Sequence, residues 1–65
     1  MIRITVRETE VIKLLADGKT NSDIARKLYI SVHTVKSILE KIYEKTNCHN
    51  RVQVVVWAIN NNILH

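Results

Sequence analysis

A chain of 65 residues with 10 Lys and Arg against 6 Asp and Glu carries a net charge of +4, a balance that suits a polyanionic partner. At this size folding buries only about 60% of the surface of the unfolded chain, so there is no room for a closed catalytic pocket with an oxyanion site, and a second copy is a natural source of further burial. The lone Cys48 allows no internal disulfide, no apolar run of about 18 residues could span a membrane, and Met1-Ile2-Arg3-Ile4 opens no signal peptide. These features predict one soluble, cytoplasmic domain over residues 1–65.

The first helix is predicted from about Val6 to Asp17. Thr5-Val6-Arg7-Glu8 is a capping box, in which the Thr5 hydroxyl accepts from the Glu8 N–H and the Glu8 carboxylate reaches back. Val11, Ile12, Leu14 and Leu15 form its apolar face, with Ile4 available to staple against it. Gly18 stands where a left-handed C-terminal residue is required.

A second helix follows over about Asn21 to Leu28 and a third over about Val32 to Lys45. Thr20 and Ser31 supply hydroxyl caps, and Asp23 places a carboxylate at the positive helix end. Ile24, Ala25 and Leu28 give the short helix its apolar side, and Val32, Val35, Leu39 and Ile42 do the same for the longer one. Only Tyr29, Ile30 and Ser31 separate the two, so they must cross steeply as a helix-turn-helix. Ala25 is small enough for close crossing.

The short loop Asn47-Cys48-His49 leads to a fourth helix beginning at Asn50, where Asn50-Arg51-Val52-Gln53 has the logic of another capping box. The run Val54-Val55-Val56 has strand propensity, but a capped start and three preceding helices favour helix. The helix dissolves in Asn60-Asn61-Asn62. Val52, Val56 and Trp57 are read as one broad side open to a second copy, with Val55, Ala58 and Ile59 turned toward the other helices. Trp57 has two readings, as part of the core or of the dimer face. The expected fold is all-α, a compact four-helix domain with a central helix-turn-helix and a C-terminal fourth helix.

On the third helix, His33, Lys36, Ser37 and Glu40 share the face opposite Val35, Leu39 and Ile42. Such groups can touch base edges. Lys36 can donate to guanine O6 and N7, while Glu40 can accept from cytosine N4 or simply pair with Lys36 at i,i+4. Lys41 adds positive charge. Cys48, His49, His33 and His65 have no paired ligand spacing, so no metal is expected. Ser31, His33 and Asp23 suggest no catalysis, because Ser31 is needed as a cap.

Ile4-Thr5-x-Arg7-Glu8, Val11-Ile12-x-Leu14-Leu15-Ala16-x-Gly18-Lys19-Thr20-Asn21, Ile24-Ala25-x-x-Leu28, Ile30-Ser31-x-x-Thr34-Val35-Lys36, Ile42-Tyr43-x-Lys45 and Asn50-Arg51 together resemble the LuxR-type helix-turn-helix. That family is the DNA-binding output domain of many bacterial response regulators and quorum-sensing regulators. The resemblance covers nearly the whole chain, with departures at Ile4, Ile38, Thr46 and Val54. Sigma factors share a similar pattern over the first three helices, but the opening of the fourth at Asn50-Arg51 favours the LuxR type.

The resemblance implies that the third helix enters the major groove, with base contacts from Lys36, Ser37 and Glu40. It implies phosphate contacts from Asn21, Ser31, Thr34, Lys45 and Arg51, and pairing of two copies through the fourth helix. Double-stranded DNA is the expected partner, with a weak homodimer and RNA polymerase as further candidates; no cofactor, membrane or small-molecule ligand is expected. The alternative is a protein-interaction module of the same fold with weakened DNA affinity. The capping box at Thr5 lies so near the terminus that a receiver or ligand-sensing domain could precede it in a longer regulator.

Overall fold

Local capping chemistry fixes where each helix begins. The computed structural model describes residues 3–64, and these hold four helices: α1 (Val6–Ala16), α2 (Asn21–Leu28), α3 (Val32–Thr46) and α4 (Arg51–Asn60). Met1, Ile2 and His65 lie outside the described residues. At α1 the Glu8 N–H donates to Thr5 Oγ1 at 3.1 Å, and the Thr5 N–H donates back to Glu8 Oε1 at 2.8 Å. Thr20 and Asp23 repeat the reciprocal pair at α2. Ser31 caps α3 by accepting from the Thr34 N–H at 3.0 Å.

The fourth start departs from the expected box. Asn50 is the cap and its Oδ1 accepts from the Gln53 N–H, but the Gln53 side chain accepts from the His49 N–H rather than that of Asn50. Asn50 has φ of −154°, against −75° at Thr5 and −77° at Thr20, so the chain enters α4 in a different orientation and presents the His49 N–H to Gln53.

Helix ends are set by left-handed residues. Gly18 has φ of +77°, and the bonds from Gly18 N–H to Leu15 O and from Lys19 N–H to Leu14 O, both 3.0 Å, close α1 as a Schellman turn. Tyr29 and Asn47 adopt the same region after α2 and α3, with φ of 58° and 55°. These reversals direct α2 into α3 through a tight turn and α3 into α4 through a short loop.

One core joins all the helices. Val11, Ile12 and Leu15 of α1 meet Ile24 and Ala25 of α2, Val35, Leu39 and Ile42 of α3, and Val54 and Ala58 of α4. The close-packed helix pairs are α2 with α3, α1 with α3, α1 with α4, and α3 with α4. Thr46 is buried where the resemblance favours leucine, and its hydroxyl is satisfied by donating to Ile42 O at 2.8 Å.

Two expectations about apolar faces need correction. Val32, at the first position of α3, lies at the exposed margin rather than in the core, because the turn has not yet brought it over α2. On α4, Ile59 is exposed together with Val52 and Val56, while Val54 and Ala58 are buried. At about 100° per residue, Val52, Val56 and Ile59 form one stripe and Trp57 falls to its side. Trp57 is half-buried and packs against the core, so it does not share the Val52–Val56 face.

Candidate nucleic-acid interface

Because Val35, Leu39 and Ile42 anchor one side of α3, the opposite side must face solvent. His33, Lys36, Ser37, Glu40 and Lys41 are all exposed there. Ser31 and Thr34 are exposed at the start of the same helix, where their hydroxyl oxygens lie 2.9 Å apart. Polar groups able to meet base edges thus line the flank of α3, and hydroxyls flank its first turn. Among the described residues the ion pairs are Arg7–Glu10, Arg26–Asp23 and Lys45–Glu8, so Lys36 and Glu40 do not pair and both remain open on the surface.

Three other candidates are held by internal partners. The Lys45 Nζ donates to Glu8 Oε1 at 2.8 Å, across 37 positions of sequence. Arg51 donates to the Lys19 carbonyl at 3.2 Å and to Asn21 Oδ1 at 2.7 Å, which joins the start of α4 to the start of α2. Asn21 and Arg51 are therefore brought into one cluster at the joined starts of α2 and α4.

Glu8 is the residue whose full role sequence reasoning missed. Its place in the capping box was legible, but its burial and its bond to Lys45 were not, because the signal lay in a residue on another helix. Burial by itself would raise the Glu8 carboxyl; the Lys45 hydrogen bond and the Thr5 N–H and hydroxyl outweigh it and hold the group below its ordinary value. The Thr20 N–H and hydroxyl, with Arg26 beside them, likewise lower Asp23.

Among the described residues no group of three or more His, Cys, Asp or Glu side chains gathers to hold a metal ion, and no helix is long and apolar enough to cross a membrane.

Four helices, a tight turn between α2 and α3 and a polar solvent face on α3 are the parts of a helix-turn-helix domain. The model of the luxR family of bacterial regulatory proteins matches residues 3–58, and the chain belongs to that family. It is 47% identical over 60 residues to the uncharacterized transcriptional regulatory protein YxjL of Bacillus subtilis, covering 92% of this chain and 28% of that protein. The CsgBAC operon transcriptional regulatory protein of Escherichia coli is 43% identical over 58 residues, which cover 89% of this chain and 27% of that protein. The crystal structure of the response regulator ChrA, of a heme-sensing two-component system, superposes with a TM-score of 0.92 at 34% identity, over 95% of this chain and 31% of that one. The chain thus spans between a quarter and a third of the length of these relatives. Its family is one of DNA-binding domains that serve transcription regulation.

Proposed function

We propose that residues 1–65 form one domain that binds duplex DNA sequence-specifically, with α3 lying in the major groove. The observation that carries this reading is the exposed polar face of α3, backed by a continuous apolar face that fixes its orientation. Lys36 reads guanine, Ser37 and His33 contribute lesser contacts, and Glu40 accepts from cytosine N4. Asn21, Ser31, Thr34 and Lys41 meet the phosphates on either side and set the register. DNA as partner implies a cytoplasmic setting.

Two copies bind paired half-sites about one helical turn apart. The exposed stripe of Val52, Val56 and Ile59 supports this arrangement. Val52 and Val56 also line a shallow groove with Leu15, Ala16, Gly18, Arg51 and Val55, so the exposed apolar surface of α4 continues onto the end of α1, a patch that a second copy can cover about a two-fold axis. The stripe is small against the roughly 800 Å² per partner of a standard interface, so the pair is weak without DNA.

Glu40 and Glu44 are both exposed on α3 and favour a second reading, in which the fold serves as a protein-interaction module. Salt dependence separates the two. Binding to a random-sequence duplex should fall with a log–log slope of about −0.9 for each phosphate neutralised. Absence of binding, or binding indifferent to salt, would leave only the protein-interaction reading.

A further inference from the structure

We infer that Arg51 is a positioning residue, which aims the Asn21 amide at the DNA backbone instead of touching phosphate itself. The inference rests on the DNA-binding reading above and revises the direct phosphate contact that the resemblance implies for Arg51.

A guanidinium carries only donors, so the atom of Asn21 that meets it must be the amide oxygen. Arg51 takes that oxygen at 2.7 Å, and the Asn21 Nδ2 is thereby turned to the other side. Among the described residues no hydrogen bond takes up that Nδ2. Asn21 is also the first residue of α2, whose N–H belongs to the unpaired donors of a helix start. The second bond from Arg51, to the Lys19 carbonyl, holds the residue before the Thr20 cap. One rigid fork thus fixes both the side chain of Asn21 and the approach to α2.

The surrounding charges agree with this assignment. The Asp23 carboxylate, two residues on from Asn21, is occupied by the Thr20 N–H and by Arg26, and among the described residues no carboxylate forms an ion pair with Arg51. α2 and α4 are not among the close-packed helix pairs. The Arg51 fork is therefore a specific side-chain link between the helix that carries the exposed apolar stripe and the helix that carries Asn21. Any shift of α4 is passed to the Asn21 amide through it.

The test measures binding of the whole chain to a random-sequence duplex of about 20 base pairs, two helical turns, across a series of salt concentrations. Asn21→Ala should weaken binding about five-fold, the loss of one hydrogen bond. Arg51→Ala should cost the same five-fold with the salt slope unchanged, and the double variant should be no weaker than either single one. Arg51→Lys keeps the charge but cannot span both acceptors, so it should bind as poorly as Arg51→Ala. Thr34→Ala combined with Arg51→Ala should instead multiply the two losses, because Thr34 lies on α3 outside the cluster; general loosening of the fold would couple both pairs alike and overturn the inference. A slope reduced by about 0.9 in Arg51→Ala, full affinity in Arg51→Lys, or a roughly 25-fold loss in the double variant would each show that Arg51 touches phosphate directly. Should the unsubstituted chain bind no duplex at all, the DNA reading falls and the inference with it.

Discussion

The Glu8 carboxylate, only 4% exposed, receives the Lys45 ammonium at 2.8 Å and the Thr5 N–H at 2.8 Å through the same oxygen. One side chain thus closes the N-terminus of α1 and ties that end to the last turn of α3. Lys45 belongs to the helix that bears Lys36 and Glu40, so the pair fixes how α3 is held against α1.

Lys45→Met should destabilise the domain by about 1–3 kcal/mol, because a buried carboxylate loses its counter-charge and keeps only its Thr5 partners. Glu8→Gln should cost less, since an amide oxygen can still accept from the Thr5 N–H. Urea unfolding of both variants and of the double variant measures the coupling. Additive losses would mean that the two groups do not act as a pair.

The same site predicts an acid dependence. Glu8 is held below its ordinary 4.5 in the folded chain, so the folded state favours the ionised carboxylate. Its contribution is fully present above about pH 4.5 and is lost as pH falls through the lower folded value. Asp23 is shifted the same way and adds to the fall. Stability should therefore be flat near neutrality and decline in acid, with a shallower decline in Glu8→Gln. Equal acid profiles for the two proteins would remove Glu8 from the account.

Tyr29 is 93% exposed and holds a left-handed backbone at φ of 58°. A side chain in that region costs about 1–2 kcal/mol, and glycine gives back about 0.5–1 kcal/mol of that gain through its freer unfolded chain. Tyr29→Gly should raise stability by about 0.5–1 kcal/mol and leave DNA affinity alone. Gly18→Ala should do the opposite: a Cβ there meets no atom within 4 Å, yet φ is +77°, so backbone strain and not crowding lowers the melting temperature.

On α3, Lys36→Ala should cost about 1–3 kcal/mol on a preferred site selected from random DNA, and should relax preference at one base pair. Equal weakening on every sequence would reassign Lys36 to phosphate. Glu40→Gln should raise affinity for unselected DNA, and should lower it on the preferred site if Glu40 reads cytosine.

Assembly is read through Val56. It is half exposed on the α4 stripe, so Val56→Glu should leave the helical content and melting curve intact. Cooperative binding to paired half-sites should be lost while a single half-site is still bound. Val54→Ala is the contrast: Val54 is fully buried, and the loss of core volume should cost about 1–2 kcal/mol of stability.

The sequence by itself determined the helix starts, the turn between α2 and α3, and the side of α3 that faces outward. Each of these is local: Thr5 finds Glu8 three residues on, and Val35, Leu39 and Ile42 recur at helical spacing, so neighbours in sequence carry the whole interaction. The fourth helix was less legible, because an unbroken run from Val54 to Ile59 has no polar face to mark its outside. Tertiary packing decided that Val54 and Ala58 go inward, that Ile59 joins Val52 and Val56 outside, and that Trp57 packs against the core. Tertiary packing also decided the partners of two cations. Lys45 meets Glu8 and Arg51 meets Asn21 across distances of 37 and 30 residues. No periodicity joins residues so far apart; only the crossing of the helices brings their charges and hydrogen-bonding groups within reach.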